Sequence, residues 1–134
     1  MGAFRRRWPG LSYGRGEDWH YVGDTSEPAF ENSWDIGAAS SGLTRLAFRL
    51  RESGVVDLAG IIRNGTSSTV FTLPTGYRPT YKAPGIVALS SANEAATIVV
   101  ADDGRVKVVT TSSLPLAGTL AISGQFFVNP PAVA

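Results

Sequence analysis

The segment from Leu43 to Arg63 restricts the fold more than any other part of the chain. Leu46, Phe48 and Leu50 alternate with Arg45, Arg49 and Arg51, with Ala47 among them. After the break Glu52-Ser53-Gly54, Val56, Leu58, Gly60 and Ile62 alternate with Asp57, Ala59 and Arg63. A period of two puts each apolar set on one face of an extended strand. The compact break predicts an antiparallel hairpin, Leu43–Arg51 against Val55–Arg63, with a buried face and an arginine-bearing face that is solvated or meets a neighbouring subunit. Asp57 is placed to pair those arginines across the strands.

The flanking sequence extends this pattern. Asn64-Gly65 predicts a tight turn into Ser67–Leu73 as the third strand of a meander, because both residues accept positive φ. Pro74-Thr75-Gly76 and Arg78-Pro79 end that strand and pin Tyr77 between two rigid points. Further strands are expected at Ala83–Ser91, Ala95–Ala101, Arg105–Thr110, Thr119–Ser123 and Gln125–Val128. Asp102-Asp103-Gly104 closes a hairpin that sets Ile98 and Val100 against Val106 and Val108, and Asn129-Pro130-Pro131 ends the domain. Upstream, Asp18–Val22 reads as a short strand with Trp19 and Tyr21 on one face and His20 and Val22 on the other. Phe30, Trp34 and Ile36 would all point inward if a strand begins at Asn32. With 15 Gly and 8 Pro in 134 residues, and no helical period, the expectation is an all-β protein. About eight strands form an antiparallel β-sandwich, jelly-roll-like, over residues 17–134.

Residues 1–16 read differently. Four glycines and Pro9 in so short a stretch disfavour regular structure. It is expected to be an extended arm, with Phe4, Trp8 and Tyr13 as apolar anchors and Arg5, Arg6, Arg7 and Arg15 around them, docked on a partner surface or folded back on its own domain.

Several function classes are disfavoured. The chain has no cysteine, hence no disulfide or thiolate metal site. No apolar run approaches the roughly 18 residues of a membrane span, and Trp8-Pro9-Gly10 follows the early arginines where a signal-peptide core would stand. A soluble, unprocessed protein without membrane insertion is expected. A net charge of +1 makes nucleic acid an unexpected partner, and no cofactor or metal motif is present. His20 has no recognisable nucleophile to serve and reads as a hydrogen-bonded structural residue. The carboxylate pairs Glu17/Asp18, Glu27/Glu31 and Asp102/Asp103 fall at the arm, a proline loop and a tight turn, so no catalytic residue is assigned. Trp19, Tyr21, Tyr77, Arg78 and Tyr81 are candidates for surface or glycan contact, with core or subunit contact as the plainer reading of Trp19 and Tyr77, because a small sandwich needs large inward residues; Arg45, Arg49 and Arg51 are candidates for contact between subunits.

In succession, Trp19-His-Tyr-Val-Gly, Glu27-Pro-Ala-Phe-Glu-Asn-Ser-Trp34, Leu46-Ala-Phe-Arg-Leu, Gly54-Val-Val-Asp-Leu-Ala-Gly60 and Phe71-Thr-Leu-Pro-Thr-Gly-Tyr-Arg-Pro79 resemble small tail proteins of double-stranded DNA bacteriophages. The likeness is to minor tail proteins of phages infecting actinobacteria and to the C-terminal domains of longer tail fibres. It implies a non-enzymatic β-sandwich knob, commonly a homotrimer, made in the host cytoplasm and carried on the virion. The tail is the first expectation for its place, with capsid decoration as the alternative. The arm would hold other virion proteins, and host-envelope glycan is a further expected partner.

Overall fold

The computed structural model describes residues 17–36, 45–81, 83–90, 95–110, 113–115 and 118–128. The expected arm, with Phe4, Arg5, Arg6, Arg7, Trp8, Tyr13 and Arg15, lies outside the described residues, as do Leu43 and the closing Asn129-Pro130-Pro131. Nine strands occur among the described residues: β1 (His20–Tyr21), β2 (Asp35–Ile36), β3 (Ala47–Leu50), β4 (Val55–Arg63), β5 (Thr69–Thr72), β6 (Ala83–Ser90), β7 (Ala95–Val100), β8 (Arg105–Val109) and β9 (Thr119–Phe127). They follow one hydrogen-bonded path, β1-β3-β4-β9-β6-β7-β8-β5, with β2 pairing the end of β4. The path doubles back, so that Phe48 of β3 stacks on Phe71 of β5 with ring centroids 5.8 Å apart. The result is the expected antiparallel β-sandwich.

Both expected local hairpins form. β3 and β4 pair Arg49 with Asp57 and Leu50 with Val56, and Gly54 closes their turn at φ 86°. β7 and β8 pair Ile98 with Val108 and Val100 with Val106, closed by Gly104 at φ 94°. The inward residues of all these strands make one core. Leu46, Phe48, Val56, Leu58, Ile62, Val70, Phe71, Leu73, Ile98, Val100 and Val106 have no solvent exposure. Each aliphatic or aromatic side chain so buried stabilises the fold by about 1.5–3 kcal/mol before chain entropy is counted.

Three sequence expectations are corrected. The meander does not form: β5 pairs with β8 instead of β4, so Asn64-Gly65 carries the chain from one layer to the other. Asn64 does take positive φ (70°). Gly65 is needed for space, since a Cβ there would lie 1.8 Å from Cε2 of Trp34. Second, no strand starts at Asn32, because Asn32 and Ser33 both have positive φ. Trp34 is buried through a loop that grips the crossover: Trp34 Nε1 donates to Ser67 O at 2.8 Å, Asn32 Nδ2 to Thr69 O at 2.9 Å and Glu31 N to Val70 O at 2.7 Å. Third, the two expected C-terminal strands are the single strand β9, paired with β4 over its whole length. Gly124 does not break it. That glycine leaves room for Ile86, whose Cγ2 would lie 2.6 Å from a Cβ at 124.

Candidate functional site

The outward face of β1, β3, β4 and β9 is built in cross-strand rows. Tyr21 pairs with Ala47, Ala47 with Ala59 and Ala59 with Ser123. In the adjacent row Arg49 pairs with Asp57 and Asp57 with Gln125. Trp19, two residues before Tyr21, shares its face and takes the Arg49 guanidinium over its ring at 4.5 Å. Two depressions result, with Trp19 and Ala59 common to both. One, of about 350 Å³, runs along Trp19, Arg49, Arg51, Ser123 and Gln125. The other, of about 270 Å³, is a slot between the Trp19 and Tyr21 rings over Ala47 and Ala59. Two alanines facing each other leave the floor low, and that is what opens the slot.

Asp57 organises the polar half. It is 5% exposed and accepts three side-chain hydrogen bonds: Arg51 Nε at 2.7 Å and Arg49 Nε at 3.0 Å on Oδ2, and Gln125 Nε2 at 2.8 Å on Oδ1. Burial alone would raise its pKa. The hydrogen bonds from Arg51, Arg49 and Gln125 and the charge of Arg51 outweigh burial and hold the carboxyl below its ordinary range. With one carboxylate serving two guanidinium groups, this half of the face keeps a positive balance.

The other site candidates divide. Arg45 bonds Asp24 Oδ1 at 2.6 Å and lies over the Tyr21 ring at 5.5 Å, beside the same face. Tyr77 and Arg78, two of the candidates for surface contact, are half-buried. Tyr77 packs edge-on against Phe48, centroids 5.1 Å apart, and Arg78 Nε donates to Leu73 O at 2.8 Å, beside the buried Gly104. A chain pinned by prolines has its side-chain direction set by what it packs on, and here that is the core. Tyr81 is 74% exposed but lines neither depression.

His20 is hydrogen-bonded, as expected, and stacks on Phe48 at 5.2 Å. Its partners are Glu17, Glu27 and the Tyr77 hydroxyl. Members of the carboxylate pairs point to different groups: Glu27 to His20 but Glu31 to Thr72 Oγ1, while Asp103 accepts from Arg105 N at 3.1 Å in its own turn. Gln125 and Ser123 were not singled out from sequence, since only the non-local β4–β9 ladder brings them to Asp57 and Ala59.

No protein family model matches the sequence, and no curated protein does. Among solved structures, the chain is similar to the receptor binding protein (gp15) of Listeria phage PSA, with a TM-score of 0.58 at 16% sequence identity. The match covers 81% of this chain and 63% of that one, so the chain spans less than two thirds of its length. At this identity the likeness establishes a shared fold.

Proposed function

We propose that the chain is a non-enzymatic structural protein of a bacteriophage tail, a β-sandwich knob that meets the host surface. The observation that carries this reading is the outer face, where an aromatic-walled slot adjoins a polar furrow on a fold shared with a phage receptor binding protein. Saccharide rings stack on aromatic faces and take hydrogen bonds from planar polar groups at the rim. In this reading Trp19 and Tyr21 stack the sugar, while Gln125, Ser123 and the arginines supply the polar contacts. Assembly as a homotrimer, and anchoring to other virion proteins through residues 1–16, complete the proposal on the strength of the sequence resemblance.

The test has two parts. Antibodies to the chain should label the tail in intact particles; label over the capsid would make it a decoration protein, and no label would overturn the virion reading. Full-length protein should co-sediment with host cell-envelope glycan, and Trp19→Ala should weaken that binding about ten-fold or more while leaving the fold intact, as expected for one central aromatic anchor. Equal binding by Trp19→Ala would move the contact off this face.

A further inference from the structure

Glu17 and Glu27 grip opposite ends of one imidazole. Glu27 Oε2 lies 2.8 Å from His20 Nδ1, and Glu17 Oε2 lies 2.8 Å from Nε2. A neutral imidazole has a single N–H and can donate to one of these carboxylates only; the other nitrogen would then present a lone pair to an anion. Both contacts are hydrogen bonds when the ring carries two protons. A third group completes the arrangement: the Tyr77 hydroxyl lies 2.8 Å from Glu17 Oε1 and 3.1 Å from His20 Nε2. It can donate to either, but not to both at once.

We propose that His20 is a proton-operated clasp on residue 17, in which the protonated ring ties Glu17 to Glu27 and the neutral ring takes the Tyr77 hydroxyl bond for itself and releases Glu17. When the ring loses its Nε2 proton to solvent, Nε2 becomes an acceptor and the Tyr77 O–H turns from Glu17 Oε1 to Nε2, while Nδ1–H stays on Glu27. Glu17 thereby loses two donors in one step. What remains to it is a weak pair of contacts with the end of β3: Glu17 N to Leu50 O, and Leu50 N to Glu17 Oε2, both at 3.3 Å. The clasp thus controls how residue 17 is held against the end of β3.

Among the described residues, the titratable groups facing the ring are Glu17 ahead of β1, Glu27 from the following loop and Tyr77 from the turn after β5; β3 contributes the apolar Phe48. Burial, the hydrogen bond with Glu17 and the charges of Glu17 and Glu27 push the Tyr77 phenol up to about 12, so it remains a donor throughout the titration of His20. For His20 itself burial works to lower the pKa, but the hydrogen bond with Glu27 and the charges of Glu17 and Glu27 prevail and raise it above 6.5. The clasp is therefore closed below that ordinary value and opens as pH rises through the raised one.

Nuclear magnetic resonance on the full chain tests this. Across the midpoint of the His20 ring, protection of the Glu17 amide against hydrogen exchange, corrected for its intrinsic rate, should fall about ten-fold, the loss expected for charge-assisted hydrogen bonds. The ring nitrogen shifts at high pH should show the Nδ1–H tautomer. His20→Gln should abolish the step, and Tyr77→Phe should remove the tautomer preference. Protection of Glu17 that stays level through the ring's midpoint, or an Nε2–H ring at high pH, would overturn the clasp. Neither result bears on glycan binding at Trp19, which lies on the other face of β1.

Discussion

Replacing Asp57 by Asn is the most direct test of how the outer face is held. The substitution keeps size and one acceptor but removes the charge that Arg49 and Arg51 share. Breaking a buried ion pair by deleting one partner costs about 3–5 kcal/mol when the stranded charge cannot reach water. Here the two arginine side chains are 23% and 37% exposed, so solvent takes back part of that cost, and a loss of about 2–3 kcal/mol is expected at pH 7. At about 3–5 °C per kcal/mol for a chain of this size, Tm should fall by roughly 6–15 °C. Urea unfolding followed by tryptophan fluorescence, with Trp19 directly under Arg49, would measure it. Because the folded carboxyl titrates below its ordinary range, the stabilisation is complete above the unfolded value near 3.9. It drains away as pH falls through the folded value. The gap between wild type and Asp57→Asn should therefore close in acid. A loss under about 0.5 kcal/mol at pH 7, or a gap that persists under fully acid conditions, would refute the role given to this carboxylate.

Two further substitutions probe the interior. Gly65→Ala drives a methyl group into the Trp34 ring, which is held by its bond to Ser67 O; overpacking of this kind costs about 1–3 kcal/mol, visible as a lower urea midpoint with a blue-shift change in tryptophan emission. Phe71→Ala removes the ring that stacks on Phe48 across the two layers and should cost about 3–5 kcal/mol by the same assay.

How much could be read from the residues depended on sequence separation. The β3–β4 and β7–β8 hairpins were legible because alternation and turn sit within a few residues of each other, and even the Ile98–Val108 pairing follows from them. That Trp19 and Tyr21 share one face, and that Asp57 pairs with the arginines, were legible for the same reason, whereas which of the two faces is outward was not. Asn64-Gly65 misled because its composition suits a hairpin, while the ring for which Gly65 leaves space belongs to Trp34, about thirty positions earlier in the chain. Gly124 misled likewise: its lack of a side chain serves Ile86, not a bend. The Glu17–His20–Glu27–Tyr77 cluster depends on a contact across the length from β1 to the turn after β5, and no local pattern marks it. For Tyr77 the flanking prolines leave open whether the ring meets solvent or the core; the structure packs it edge-on against Phe48, with its hydroxyl on Glu17.

The β4–β9 ladder has a kinetic consequence. Its nine paired positions run from Val55 opposite Phe127 to Arg63 opposite Thr119, so even the closest pair encloses most of the second half of the chain. The hairpins on either side can close within microseconds, but neither buries its apolar face without the other layer. The central ladder must wait for a long loop to close, and that entropy is spent before any contact repays it. Folding should therefore fall in the millisecond-to-second range of non-local β-proteins. Until β9 arrives, the long edge of β4 is unpaired, and it is at this stage of synthesis that the chain is most open to pairing with another copy.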